Sequence, residues 1–316
     1  MRLYISHKSA LDYWRRVRKL PEGSAERRCK AALTDTPLEI DPMVFSRFDL
    51  PVHVMIGRPG CRRASKFLRQ HVFSGETPVG CFMNAGGGLM VSSPEFCFLQ
   101  LAGELSLIGL IELGYEMCGG YSLPLSDDSD VPERGFHNRS PLTSAAKLEA
   151  FLDGMPGVKG HQKAARALHY LRDGSASPME TKLAMFLTLP RMLGGYGFGL
   201  PELNERILLS KTARKEFGKA FYVCDMFWPD EKVAVEYDSD QHHTGSDRIA
   251  NDSKRRNALA SSGISVVSVT KYQLYSSLEL GRVAITIAGH MNKRLYSGRN
   301  FSAAHRELRK QLLADL

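Results

Sequence analysis

The pattern of apolar and polar positions becomes regular after residue 177. Four segments of strand length have either alternating or continuous apolar residues, and they predict β-strands at 203–209, 218–227, 232–238 and 264–269. Three others repeat apolar residues at helical spacing: 179–193, 246–263 and 274–295. The predicted order is α-β-β-β-α-β-α. It indicates a mixed α/β sheet with helices on both faces.

The first half of the chain is less regular. The break at 171–178 predicts a boundary between an α+β domain at 1–172 and a second domain at 173–316. Ser-Pro pairs at Ser93, Ser140 and Ser177 each predict a helix that begins with serine as N-cap. NAGGG, at 84–88, reads as a turn between strands.

An apolar window at 96–120 carries Gln100 and three glutamates, which a membrane span would not tolerate. It predicts one or two core helices in a protein without a membrane partner. The N-terminal segment has no apolar core of a secretory signal. The six cysteines are scattered without Cys-x-x-Cys pairs, which argues against a zinc site and a disulfide framework. Both features predict a reduced, cytoplasmic location.

An acidic hairpin stands out among the predicted strands. Asp225, Glu236 and Asp238 lie in segments that otherwise read as buried, where an acid needs a partner or a task. If 228–231 forms the loop, Asp225 lies opposite Ala234 and diagonal to Glu236, roughly 7–8 Å away. Two carboxylates at that distance can share a divalent ion. The alternatives are a solvated face or pairing with lysine and arginine.

These residues carry a resemblance to a known family. The chain resembles the PD-(D/E)XK nuclease superfamily in a series of four segments: Ser177-Pro178-Met179-Glu180, Asp225 to Pro229, Val235-Glu236-Tyr237-Asp238 and His242-His243. Within it, the branch similar to very-short-patch-repair endonucleases is closest. The resemblance covers roughly residues 160–290 and implies a restriction-endonuclease-like αβββαβ core.

The resemblance also implies a catalytic set. Asp225 and Glu236 would bind Mg²⁺ or Mn²⁺, and Glu180 would join them. Asp238 stands where many members place a lysine, and His242 or His243 would act as general acid or base, or bind phosphate. The alternatives are a capping box for Ser177-x-x-Glu180 and ordinary surface histidines.

The charge balance points to a polyanionic partner. The chain carries a formal net charge of +8, which fits nucleic acid, an anionic membrane surface or simple solubility. The basic residues expected to contact DNA phosphates are Lys254, Arg255 and Arg256 in a helix, and Lys211 and Lys215 on the strand and loop before Asp225. Solvated helix faces are the alternative reading of the first three.

These features predict a metal-dependent DNA endonuclease acting in phage defence, toxin–antitoxin regulation or repair. SSPEFCFLQLAG, at 92–103, is similar to a segment of abortive-infection antitoxin-like regulators, which implies the defence context. A DNA-binding regulator that keeps the fold without cutting is the alternative, because the lysine of the motif is missing. The sequence leaves the oligomeric state open, a homodimer included.

Overall fold

The structure is a computed structural model that describes residues 2–19, 28–29, 33, 48–238, 246–295 and 298–313. The chain forms two compact units, an N-terminal unit at 1–171 and a C-terminal unit at 172–316. The sequence pattern had placed the boundary between residues 172 and 173.

The N-terminal unit is built on a mixed six-stranded sheet with the order β2-β5-β6-β1-β3-β4. Its strands are β1 (Leu3–Ile5), β2 (Arg28–Cys29), β3 (Val52–Ile56), β4 (Leu68–Val72), β5 (Phe82–Gly86) and β6 (Leu89–Ser92), and β7 (Tyr121–Ser122) pairs separately with β8 (His137–Asn138). Its helices are α1 (His7–Arg16), α2 (Pro94–Ala102), α3 (Leu107–Cys118), α4 (Ala145–Asp153) and α5 (His161–Leu168). The apolar window at 96–120 thus forms two helices, α2 fully buried and α3 largely so. The turn predicted at 84–88 connects β5 and β6 and contains three glycines with positive φ.

The predicted helix starts are confirmed at two of the three Ser-Pro pairs. Ser93 and Ser177 each accept a hydrogen bond from the first helical turn. The expectation for Ser140 is wrong, because α4 begins after Ser144, whose side chain accepts a hydrogen bond from the backbone of Lys147. Leu142 is buried instead, and its backbone N–H bonds to Met117 at 2.9 Å, which ties this segment to α3 before a helix can begin.

Ser144→Ala is therefore expected to weaken α4, whereas Ser140→Ala is not. Loss of an N-cap hydroxyl costs about 1 kcal/mol of helix stability. Amide hydrogen exchange in α4 should show that loss for Ser144→Ala and less than about 0.5 kcal/mol for the exposed Ser140→Ala. Equal effects at the two serines would contradict this placement of the cap.

The C-terminal unit is built on a four-stranded sheet with the order β12-β11-β10-β9. Its strands are β9 (Glu202–Leu208), β10 (Phe221–Trp228), β11 (Val233–Asp238) and β12 (Ser265–Thr270). Its helices are α6 (Pro178–Thr188), α7 (Lys211–Phe217), α8 (Ser246–Ser261), α9 (Lys271–Tyr275), α10 (Ser277–His290) and α11 (Arg299–Leu313). Strand β10 is antiparallel to both of its neighbours, β9 and β11, and β12 lies parallel to β11 after the crossover through α8. The prediction of a mixed α/β fold is confirmed.

Three helical features differ from the predicted pattern. Lys211 and Lys215 lie on the short helix α7 rather than on a strand and loop; Ser210 caps it and Gly218 ends it with a left-handed φ of 69°. The helix expected at 274–295 divides into α9 and α10, because Ser276 ends one and caps the next. The pattern did not predict α11.

The sheet of the C-terminal unit is buried on both sides near its centre. Cys224 and Ala234 pack in one cluster with Ala258 and Leu259 of α8. Neighbouring residues of a strand point to opposite faces, so Val235, which is fully buried, points away from that cluster. The hairpin therefore carries Asp225 and Glu236 at half-buried positions beside this core, whereas Asp238, at the end of β11, is exposed.

Candidate metal and nucleic-acid site

A polar cavity of about 260 Å³ opens beside the ends of β10 and β11. Asp225, Glu236, Tyr237, Asp238, Arg255, Arg256 and Ser268 line it. The fold thus brings together three of the predicted acids and two of the predicted basic residues. Lys254 lies exposed on α8 nearby in sequence, and His242 and His243 lie outside the described residues.

The register of the hairpin differs from the predicted one. Trp228 pairs with Val233 and Met226 with Val235, so the connection is Pro229–Lys232, one residue later than expected. Trp228 stays in the strand because its indole is buried and donates a hydrogen bond to Gly199 at 2.5 Å, while Lys232 takes a left-handed φ of 54°. The expected pairing of Asp225 with Ala234 is therefore wrong, since Ala234 pairs with Phe227. Asp225 instead meets β11 through its side chain, whose Oδ2 accepts the Tyr237 backbone N–H.

The surroundings of Asp225 disfavour the negatively charged form of its carboxyl group. Burial is the main cause that raises the pKa of Asp225 to about 7, and the negative charges of Glu180 and Glu236 raise it further. The backbone N–H of Tyr237 donates a hydrogen bond to its Oδ2 at 2.6 Å and, with Arg255, partly opposes the shift. Positive charge placed at this carboxyl would relieve the penalty.

Glu180 binds polar groups at the N-terminus of its own helix, and its charge also raises the pKa of Asp225. Its Oε1 accepts the Ser177 hydroxyl at 2.9 Å, and its Oε2 accepts the Ala176 backbone N–H at 3.0 Å. Asn204 donates a further hydrogen bond to Oε2 at 2.8 Å. Ser177 is therefore the N-cap of α6, as expected, but the reciprocal bond to Glu180 comes from the backbone N–H of Ala176 and not from that of Ser177. The charge of this carboxylate nevertheless raises the pKa of Asp225, so the second interpretation stays a prediction.

Glu236 forms an ion pair with Arg255. The side chains are 19% and 30% exposed, so the pair is mostly shielded from water. Arg255 also donates to the Val223 carbonyl and lies over the Tyr222 ring, 5.8 Å from its centroid. The guanidinium of Arg255 thus neutralises an acid of the site, and the phosphate contact expected of it stays a prediction.

The donor set suits a hard divalent ion. Oε1 of Glu236 is buried and accepts no well-aligned hydrogen bond within the described part of the chain, although it touches Arg255. Among the described residues, no three acids of this site hold their oxygens within 4.8 Å of one another. Mg²⁺ commonly uses one or two carboxylates and keeps several waters, so Asp225 and Glu236 suffice in number.

Basic side chains lie over aromatic rings on both faces of β10. Arg206 lies over Phe221 at 4.6 Å from the ring centroid, and Lys219 lies over Tyr222, on the opposite face, at 5.0 Å. Lys211 and Lys215 are exposed on α7, between β9 and β10 in sequence.

Two residues of the site were not found from sequence. Asn204 interrupts β9 with a φ of 51°, and it donates to Glu180 and to the Gly174 carbonyl. Asparagine is depleted in strands and tolerates this conformation, and that was the available signal. Ser268 lies opposite Glu236 in the parallel pair β11–β12 and lines the cavity. Nothing in its local sequence distinguishes it.

Comparisons with known proteins place few constraints on this site. The chain is 29% identical over 161 residues to two uncharacterized proteins of Mycobacterium tuberculosis, MT2308 of strain CDC 1551 / Oshkosh and Rv2248 of strain H37Rv. The matched region is 51% of this chain and 54% of each relative, so the chain spans about half the length of the curated relatives it matches. No family model and no solved structure matches the chain. Within the described residues, no helix combines the length and apolarity needed to cross a bilayer.

Proposed function

We propose that the C-terminal unit is a metal-dependent DNA endonuclease domain of the restriction-endonuclease-like kind. The order α6, β9, β10, β11, α8, β12, with the last strand parallel to β11, agrees with the αβββαβ core that the sequence resemblance implies. Helix α7 is an insertion into that core between β9 and β10.

One observation carries the proposal. Asp225 and Glu236 come from adjacent strands and line one cavity, and burial holds the pKa of Asp225 at about 7. A carboxyl group whose pKa is raised by burial and by neighbouring charges is typical of a functional site, although ion-pair networks also shift pKa values. Mg²⁺ or Mn²⁺ bound there would polarise a phosphate oxygen and acidify the attacking water.

The chain's own residues have separate tasks in this proposal. Asp225 and Glu236 hold the ion, and Tyr237 fixes the Asp225 carboxylate through its backbone N–H. Glu180 adds negative charge beside Asp225 without leaving its cap. Arg256, which lines the cavity, would contact a phosphate, and Arg255 balances the charge of Glu236 in the metal-free protein.

Cleavage of supercoiled plasmid and single-stranded DNA tests the proposal. The wild type is assayed with Mg²⁺, Mn²⁺ or EDTA beside Asp225→Asn and the control Asp230→Asn, an exposed acid of the hairpin turn. Cutting that requires the metal, disappears in Asp225→Asn and persists in Asp230→Asn is expected. Cutting that survives in Asp225→Asn would show a different site or a contaminating nuclease.

The alternative is a DNA-binding regulator that keeps the fold without cutting. Two observations favour it: Arg255 already pairs with Glu236, and an acid, Asp238, stands at the position of the motif lysine. DNA retardation without cleavage under every metal condition would support this regulator.

Lys211 and Lys215 are expected to add affinity without sequence preference. Each lysine that contacts a phosphate releases counterions and adds about 1 to the slope of log affinity against log salt. The double variant Lys211→Ala, Lys215→Ala should therefore lower that slope by about 2, measured by fluorescence anisotropy. Lys310→Ala, an exposed lysine on α11, should leave the slope unchanged. An unchanged slope in the double variant would remove α7 from the interface.

A further inference from the structure

A second group of potential ligands lies in the N-terminal unit, away in sequence from the acids above. His7 begins α1, His71 lies in β4, and Glu104 follows α2. One donor atom from each lies within 4.8 Å of the other two. The group borders a cavity of about 280 Å³ that Arg62, Gln100 and Lys159 also line.

The backbone holds His7 in a conformation that side chains rarely adopt. Its φ is 49°, in the left-handed region, and its side chain is only 9% exposed. The backbone N–H of His7 donates a hydrogen bond to Gln100 Oε1 at 2.9 Å, and the amide nitrogen of Gln100 donates to Ser92 Oγ at 3.0 Å. A strained residue held by a buried polar network is a common feature of functional sites.

The imidazole rings of His7, His53 and His71 lie close together in the N-terminal unit. The His7 and His71 rings stack with centroids 3.6 Å apart and planes 15° apart. His53 Nδ1 lies 3.1 Å from His71 Nε2, and Ser6 Oγ lies 3.1 Å from His7 Nδ1. If His71 donates from Nε2 and His7 from Nδ1, the other nitrogen of each ring keeps a free lone pair.

Basic residues surround these rings. Arg62 and Lys159 line the same cavity, and Arg69 precedes His71 by two residues in β4. Their positive charges repel a bound metal, so a negative ligand is needed. Within the described residues, Glu104 is the acid that lies within reach of both histidines.

We propose that His7, His71 and Glu104 form a binding site for a divalent transition-metal ion of the Zn²⁺ class. His53 orients His71, as outer partners of metal-bound histidines commonly do. Two histidines and one glutamate leave a fourth position open, the ligand set of many catalytic zinc sites. Here that position would face the cavity.

The side chains of the site must rearrange to take the ion. Tetrahedral ligands at about 2.0–2.1 Å from zinc lie about 3.3 Å from one another, whereas the donors here are within 4.8 Å. The exposed Glu104 side chain can rotate towards the histidines, and the stacked rings of His7 and His71 must turn out of their parallel arrangement so that both lone pairs point to one ion. The sequence argued against a zinc site because its cysteines are scattered without Cys-x-x-Cys pairs. The fold instead joins histidines 64 positions apart.

Titration of the metal-free full chain with Zn²⁺ and Co²⁺ tests this site. It is performed in the Asp225→Asn background with excess Mg²⁺, so that the first site does not contribute. We expect one equivalent of Zn²⁺ by calorimetry and a visible ligand-field spectrum with Co²⁺. His71→Ala and the isosteric, exposed Glu104→Gln should each weaken Zn²⁺ binding at least tenfold, and His169→Ala, an exposed histidine on the same unit, should not.

His53→Gln tests the positioning role separately. It should weaken Zn²⁺ binding about tenfold to 100-fold and change the Co²⁺ spectrum while the melting temperature of the metal-free protein stays the same. No saturable Zn²⁺ binding, or binding that neither His71→Ala nor Glu104→Gln weakens, would overturn the site. An unchanged Co²⁺ spectrum in His53→Gln would overturn the role of His53. None of these results depends on DNA cleavage.

Discussion

Asp225→Asn is expected to stabilise the metal-free protein at pH 8 and to slow metal-dependent cleavage by more than about 10²-fold. The activity should fall because even the outer partners of metal ligands are worth about 10- to 100-fold. The stability should rise because the pKa of Asp225 is raised to about 7 in the folded protein, against about 3.9 when unfolded. Folding therefore becomes less favourable as pH rises from about 4 to about 7.

The size of this effect has a clear ceiling. A shift of three pKa units corresponds to at most about 4 kcal/mol, fully present above the folded pKa and absent below pH 4. Asparagine has no charge to bury, and its amide oxygen can still accept the N–H of Tyr237. The variant should therefore lose the pH-dependent penalty without losing the hydrogen bond.

Thermal unfolding in EDTA between pH 4 and pH 8 measures the stability half of this prediction. The melting temperature of Asp225→Asn should exceed that of the wild type by an amount that grows with pH. Mg²⁺ should then raise the melting temperature of the wild type only. A difference that is the same at pH 5 and pH 8 would show that Asp225 is not the buried acid described here.

The pair Glu236–Arg255 is expected to show strong coupling in a double-mutant cycle. Arg255→Met leaves Glu236 buried without its counterion beside Asp225, which should destabilise the protein by about 1–3 kcal/mol. This value is below that of fully buried pairs because both side chains retain some exposure. Glu236→Gln in the same chain should recover most of the loss, since the uncompensated charge is gone.

Amide hydrogen exchange of β11, in EDTA and in Mg²⁺, measures the coupling energy between Glu236 and Arg255. Because a bound divalent ion can replace the guanidinium as counterion, Mg²⁺ should reduce the effect of Arg255→Met. The conservative Arg255→Lys, which keeps the charge without the fork of donors, should fall between wild type and Arg255→Met. A coupling energy below about 0.3 kcal/mol would mean that the ion pair contributes nothing to the hairpin.

The strands of the C-terminal unit followed from sequence because their apolar alternation is local. The hairpin register did not, since Trp228 remains in β10 through its contact with Gly199, far away in sequence. The group of His7, His71 and Glu104 was missed for the same reason. The pairing of β1 with β3 and of β3 with β4 brings His7 and His71 together, and α2, which precedes Glu104, follows β6 on the other side of β1.

The roles of charged residues were harder to predict than their positions. Arg255 read equally well as a phosphate contact and as a solvated residue, and its pairing with Glu236 depends on how α8 packs against β10 and β11. Glu180 had two interpretations because one carboxylate can cap a helix and also act on a neighbouring acid. Helix α7 was missed because seven residues with one buried position carry little periodic signal.

The two units are contiguous in sequence, and this sets an order during translation. All 171 residues of the N-terminal unit leave the ribosome before the first strand of the C-terminal unit, so the first unit can fold while the second is being made. Strand β12 emerges last of its sheet, after the crossover through α8. Until then β11 has an unpaired edge beside Glu236, so the cavity that holds the acids is complete only after β12 has emerged.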